Sequence, residues 1–125
     1  MAGVTLDAGG LIALDRDDRR VVVLLARARE TGAPVTVPAS ALAQAIRRPE
    51  RQARLSRLIR QPAVHIADLD RVDATSVGRL LAASGTADIT DAHVVICARR
   101  AGQSVVTSDP GDLNKLDPAL TLIVI

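Results

Sequence analysis

The chain has 125 residues, 48% of them hydrophobic and none aromatic, with 16 Lys and Arg against 14 Asp and Glu for a net charge of +2. That length and apolar content suit one packed domain over residues 1–125 and leave little room for a second. Without Phe, Tyr or Trp the chain cannot stack bases on aromatic rings, which leaves any nucleic-acid contact to Arg planes and backbone groups.

Short β-branched runs alternate with longer Ala, Leu and Arg segments, the pattern of βα units around a mostly parallel sheet. The first strand is Val4-Thr5-Leu6, closing on Asp7, and Gly9-Gly10 turns the chain into a short helix over Leu11 to Leu14. The charged stretch DRDDRR that follows should face solvent. A helix is expected from Val21 to Thr31 with Gly32 as its stop, then a strand Val35-Thr36-Val37 ended by Pro38. Ser40 is placed to cap a helix over Ala41 to Arg48, and Pro49-Glu50 to begin another that runs to about Gln61. Val64-His65-Ile66 is the third strand, Val72 to Ala83 a helix, and Ser84-Gly85-Thr86 a loop before the helix that opens DITDAHVV. Strands at Ser104 to Thr107 and Leu120 to Val124, separated by DPGD and a short helix near Leu113 to Leu116, complete an open α/β layer of about five strands. Ligands bind such sheets outside the carboxyl ends of the strands, where the strand order reverses.

Lys115 is the sole lysine, and every other basic residue is Arg, the planar fork suited to phosphate. The one cysteine, Cys97, excludes an internal disulfide and reads as a small buried hydrophobe. The start MAGVTLDAGG lacks a leader pattern and no apolar run reaches roughly 18 residues, so a soluble, cytoplasmic protein with no membrane partner is expected.

In DITDAHVV, Asp88 or Thr90 can cap a helix, and Asp91 in the first turn gains about 0.3–1 kcal/mol from the helix dipole. Capping does not explain why Asp7, Asp88, Asp91, Asp109 and Asp112, from three βα junctions, all fall at one sheet edge. Clustered carboxylates raise one another's pKa unless a cation neutralises them, so the set points to a bound metal. All-oxygen ligands favour a hard ion, Mg²⁺ or Mn²⁺, over Zn²⁺. His93 lies about 200° around the helix from Asp91 and faces away from it, and His65 sits in an apolar strand, so neither is expected to be a ligand or a base. The chain has no GxGxxG, no GxxxxGK[ST], and no convincing Ser/His/Asp order.

Four stretches in this order resemble the PIN-domain ribonucleases, specifically the VapC-like toxins of bacterial toxin-antitoxin pairs: VTLDAGGL, VPASALAQAIRR, TADITDAHVV and VVTSDPGDL. The resemblance covers essentially the whole chain. It implies a three-layer α/β/α sandwich with a central, mostly parallel sheet, and an acidic pocket that holds Mg²⁺ or Mn²⁺ and cleaves RNA. By position, Asp7 matches the first-strand aspartate, Asp91 the Asp-Ala pair opening the late helix, and Asp109 the aspartate after the fourth strand. Asp88 is carried with them as a metal ligand, and Asp112 is a flanking acid. Thr107 and Ser108 match small hydroxyl residues that line such pockets. The sequence departs from the family where Glu usually stands in the helix after the second strand, since Leu42-Ala43-Gln44-Ala45 carries Gln44 instead. It departs again at Gly9-Gly10, where Ser or Thr is common.

The expected activity is therefore a metal-dependent endoribonuclease in which metal-activated water displaces along the phosphodiester bond and leaves a 5′-phosphate. The resemblance also implies a homodimer and a small cognate antitoxin. Arg47, Arg48 and Arg51 begin a basic series continuing through Arg54, Arg57 and Arg60, and are candidates for RNA or antitoxin contact. Successive three-residue steps precess by about 60°, so the series does not form one straight stripe. A competing expectation is a PIN domain weakened by Gln44 that binds RNA or antitoxin without cleaving. A phosphoacceptor receiver domain fits poorly, because Asp7 stands alone at the first strand and Lys115 precedes the last.

Overall fold

The computed structural model describes residues 2–125. Strand β1 (Val4–Leu6) leads into helices α1 (Ala8–Asp15) and α2 (Arg19–Thr31). Strand β2 (Val35–Pro38) is followed by α3 (Ala39–Ala45), a 3-10 turn (Pro49–Arg51) and α4 (Ala53–Leu58). Strand β3 (Val64–Ala67) precedes α5 (Arg71–Ser84) and α6 (Ile89–Ala101), and β4 (Ser104–Thr107) precedes α7 (Pro110–Leu116) and β5 (Leu122–Val124). All strand pairs are parallel, in the order β3-β2-β1-β4-β5, so the order reverses between β1 and β4.

Right-handed crossovers then place α1 to α4 on one face of the sheet and α5 to α7 on the other. The packing agrees: α1 contacts α2, α3 and α4, whereas α6 contacts α5 and α7, with α3 also reaching α6. Strands covered on both faces become nearly continuous apolar runs, and Leu6, Val37, Val105 and Val106 are fully buried. Each such side chain stabilises the fold by about 1.5–3 kcal/mol. Helix α6 buries Ala92, His93, Val94, Val95, Cys97 and Ala98, which accounts for its apolar character behind two N-terminal carboxylates. No single helix among the described residues is long and apolar enough to cross a membrane.

The element order follows the sequence expectation, with four local corrections. Helix α1 begins at Ala8, not Leu11, because the Asp7 side chain caps it and accepts from the Gly10 N–H at 2.7 Å. Helix α3 begins at Ala39 without a side-chain cap, and Ser40 instead turns its hydroxyl to His93 Nδ1 at 2.6 Å. It ends at Ala45, and the expected long helix to Gln61 is broken at Gln52. The buried Gln52 amide accepts from the Arg47 and Arg48 N–H groups at 3.0 and 3.1 Å and donates to the Ala45 carbonyl at 2.9 Å, so it closes the loop that a continuous helix would have straightened. Strand β5 starts at Leu122, since Asp117 holds Ala119 and Leu120 in a turn.

Candidate active site

Asp7 ends β1 at the point where the strand order reverses. Its carboxylate is 6% exposed, and the Gly10 N–H and the Thr107 hydroxyl both engage it. Burial raises its pKa above the ordinary carboxylate value, the Thr107 and Gly10 hydrogen bonds pull it back, and the Asp109 charge raises it again. Thr107, fully buried at the end of β4, also accepts from the Asp109 N–H at 2.9 Å. The Thr107 hydroxyl is thus bonded to the Asp109 backbone and near enough to Asp7 to favour its charged form.

The glycines after Asp7 have a steric reason to be there. A Cβ on Gly9 would stand 2.3 Å from Ser108 Oγ, so Ser108 fills the space a larger residue at position 9 would take. A Cβ on Gly10 would meet the Val106 carbonyl oxygen at 2.9 Å, and that atom belongs to the backbone of β4. The turn is held tightly against the neighbouring strand, which keeps Asp7 and Asp109 together.

Asp88 is the N-cap of α6, its Oδ1 accepting from the Asp91 N–H at 2.9 Å. Asp91, half-buried, has no hydrogen bond to its carboxylate among the described residues. Burial, and after it the charges of Asp88, Asp112, Asp7 and Asp109 in that order, push the Asp91 carboxyl up to about 6. Asp91 thus feels the charges of the other four acids, and Asp7 that of Asp109. Asp109 occupies the N-cap position of α7 but makes no side-chain cap bond, and the helix opens on Pro110. Asp112, in the first turn of α7, is exposed.

These residues suit a hard divalent cation: an all-oxygen set whose central member carries a charge made costly by its neighbours, with no basic group among the causes. Their spacing is open. Among the described residues only Asp73, His93 and Cys97 bring three ligand-capable atoms within 4.8 Å of one another.

The Asp73, His93 and Cys97 group lies on the buried side of α6 and is already engaged. Arg100 bonds to Asp73 Oδ1, and the His93 nitrogens meet Ser40 Oγ and the Asp68 carbonyl, the latter at 3.2 Å. Asp73 Oδ2 has no hydrogen-bond partner and stands 3.5 Å from His93 Nε2. Burial, followed by the Asp73 charge, pushes the Cys97 thiol up to about 11, so it stays protonated at neutral pH. The group ties α3, α5 and α6 together on the face of α6 turned from Asp91. His65 is exposed on the edge strand β3.

Gln44 is exposed on α3, one turn beyond Ser40 and on the same stripe, which faces α6. Arg47, Arg48 and Arg51 are exposed in the loop and 3-10 turn after α3, and the structure gives them no contact with the five acids. Ser108 is exposed beside Gly9. Two further residues near the acids were not singled out in the sequence as site residues. Lys115 lines a pocket of about 150 Å³ together with Asp88, Asp91 and Asp112, and Arg16 lines a groove of about 530 Å³ that begins at Gly9 and Ser108.

The PIN domain family model matches residues 4–117. No curated protein sequence matches the chain. Among solved structures, FitAB bound to an IR36 DNA fragment is similar at 14% identity and a TM-score of 0.66, covering 97% of this chain and 94% of that one. FitAcB from Neisseria gonorrhoeae is similar at 17% identity and a TM-score of 0.65, covering 96% of each chain. VapBC2 from Rickettsia felis, bound to a DNA fragment from their promoter, is similar at 13% identity and a TM-score of 0.66, covering 98% of each.

Proposed function

The chain belongs to the PIN domain family, and from that premise we propose that it is a divalent-metal-dependent endoribonuclease, the toxin of a VapBC-type pair. PIN domains are generally nucleases and generally bind a divalent metal. The observation that carries the finer reading is the Asp91 carboxyl, pushed up to about 6 by burial and by four surrounding carboxylates at the switch point of the sheet.

Asp7, Asp91 and Asp109, with Asp88 beside them, are the residues that would hold Mg²⁺ or Mn²⁺. Bound there, the ion supplies an activated water and offsets charge on the phosphate under attack. The chain's own part is placement. Thr107 orients Asp7 and fixes the Asp109 backbone, Asp88 fixes the first turn of α6 and so the position of Asp91, and the buried body of α6 keeps that turn rigid. Protons compete with the ion for Asp91, so metal affinity should rise as pH climbs through about 6. Asp112 and Ser108 flank this centre. The similarity to FitAB and VapBC2 supports a small antitoxin partner and a homodimer, with exposed Arg47, Arg48 and Arg51 as candidate contacts for RNA or antitoxin.

A second reading rests on Gln44: with a neutral amide where the resemblance leads one to expect Glu, the chain binds RNA or antitoxin but does not cleave. Cleavage of a structured RNA panel with Mg²⁺ and with Mn²⁺ separates the two, using the parent, Asp91→Asn and Gln44→Glu proteins. The nuclease reading expects cleavage by the parent and loss of at least about a hundredfold in Asp91→Asn. A parent inert with both metals beside an active Gln44→Glu variant selects the binding module. Equal cleavage by the parent and Asp91→Asn refutes the site.

A further inference from the structure

Five carboxylates at one edge repel a polyanion, so an RNA strand reaching Asp91 needs cations close to the acids but outside them. The structure holds such cations on both sides of the sheet. On the α5–α7 face, Lys115 follows Asp112 by three residues on α7, which puts both on one side of that helix. Lys115 shares its pocket with Asp88, Asp91 and Asp112, and makes no ion pair with them among the described residues.

On the opposite face, Gly9, Ile12, Ala13 and Arg16 form one stripe of α1 and line a groove that starts at Gly9 and Ser108, the neighbours of Asp7 and Asp109. Seven residues of α-helix carry Arg16 about 10 Å from Gly9, so a phosphate it contacts is not the scissile one. Arg20 lines the same groove but is held by Asp18 in a two-point ion pair, with contacts at 3.1 and 2.7 Å. Arg16 makes no ion pair among the described residues.

We propose that Lys115 and Arg16 contact the RNA backbone on either side of the acidic centre, so that a single strand crosses the carboxyl edge of the sheet from the α7 pocket to the α1 groove. The assignment rests on the nuclease reading above for its substrate. It differs from the basic series at Arg47, Arg48 and Arg51, which lines neither the α7 pocket nor the α1 groove. The two cations position the strand and leave the chemistry to the acids.

The test is binding of a fluorescein-labelled, mixed-sequence single-stranded RNA 12-mer by fluorescence anisotropy, with Ca²⁺ present, across a salt series. Each lost phosphate contact should lower the slope of log affinity against log salt by about 0.7. Lys115→Gln and Arg16→Gln should each show that drop, the double variant about twice it, and Lys115→Arg should keep the parental slope. Arg27→Gln, in a residue lining a groove at the amino edge beside Ala2 to Val4, is the control and should match the parent. All these side chains are exposed, and matching circular dichroism melts show that the fold is intact. A parent that binds RNA while Lys115→Gln and Arg16→Gln keep its slope overturns the path and leaves the nuclease reading standing. A change in only one of the two overturns the crossing, and a parent with no RNA affinity overturns both proposals together.

Discussion

Replacing Asp91 by Asn should stabilise the metal-free protein above neutral pH. The folded carboxyl is raised from 3.8 to about 6, whereas the unfolded chain keeps the ordinary value. The folded state therefore binds more protons than the unfolded state between those values, and stability falls as pH rises through that window and levels off above it. The shift of about two units corresponds to about 3 kcal/mol at 1.36 kcal/mol per unit, and partial exposure reduces this to about 1.5 kcal/mol. Asn keeps the backbone N–H that Asp88 caps and nearly the same volume, so little else changes. With no Trp or Tyr the chain reports unfolding poorly by fluorescence, so the assay is urea denaturation by far-ultraviolet circular dichroism in EDTA, at pH 4 and pH 7.5. The variant's midpoint should exceed the parent's by about 0.5–1 M at pH 7.5 and come close to it at pH 4. Saturating Mg²⁺ or Mn²⁺ should then raise the parent and barely move the variant. A variant less stable than the parent at pH 7.5 in EDTA, or equal pH dependence in the two, refutes the account of Asp91 as a charge held against its preference.

Other substitutions probe the supports of the site. Gln44→Glu adds a carboxylate on the α3 stripe facing α6 and should tighten Mn²⁺ binding severalfold, read by the metal concentration that half-saturates the thermal shift. Gly10→Ala forces a methyl against the Val106 backbone and should cost about 1–3 kcal/mol in urea denaturation, whereas the closest atom Gly9→Ala meets is the Ser108 hydroxyl, which can rotate, so it should cost less. Gln52→Leu strands the Arg47 and Arg48 N–H groups and the Ala45 carbonyl, and should cost about 2–3 kcal/mol in the same assay.

The strands and the sheet edge were legible because period-two and continuous apolar runs are local signals, and because a parallel order fixes which strand ends share an edge. Asp7 and Asp109 follow strands directly and could be placed at that edge from sequence alone, whereas Asp91 follows the α5–α6 loop and its place depends on how α6 packs. What escaped the sequence depends on pairs far apart in the chain. Ser40 looked like a helix cap because Ser caps helices locally, yet its partner His93 is 53 positions away. Gln52 carries no propensity that announces a loop clasp, so its region read as one helix. Asp73, in the first turn of α5, is buried against Arg100, 27 positions away. Lys115 and Arg16 stood out in no motif, since a cation's value depends on the pocket that other elements build around it.

Helix capping and metal binding need not compete as explanations of these acids, because the structure divides the work among them. Asp7 and Asp88 each spend an oxygen on a backbone N–H, which fixes them where the chain turns into α1 and α6. Asp91 and Asp109 make no such bond from their carboxylates, although both stand at helix starts where one would be expected. The capping acids set the backbone, and the uncapped acids are what that backbone presents. Capping alone would satisfy α7 better by letting Asp109 turn inward. Instead Thr107 takes the Asp109 N–H and leaves the carboxylate unspent beside Asp7, in the direction from which Asp91 already feels both charges. Two carboxylates left uncapped at helix starts, one of them pushed up to about 6 by its neighbours, are what the proposed metal site expects and what capping alone does not explain.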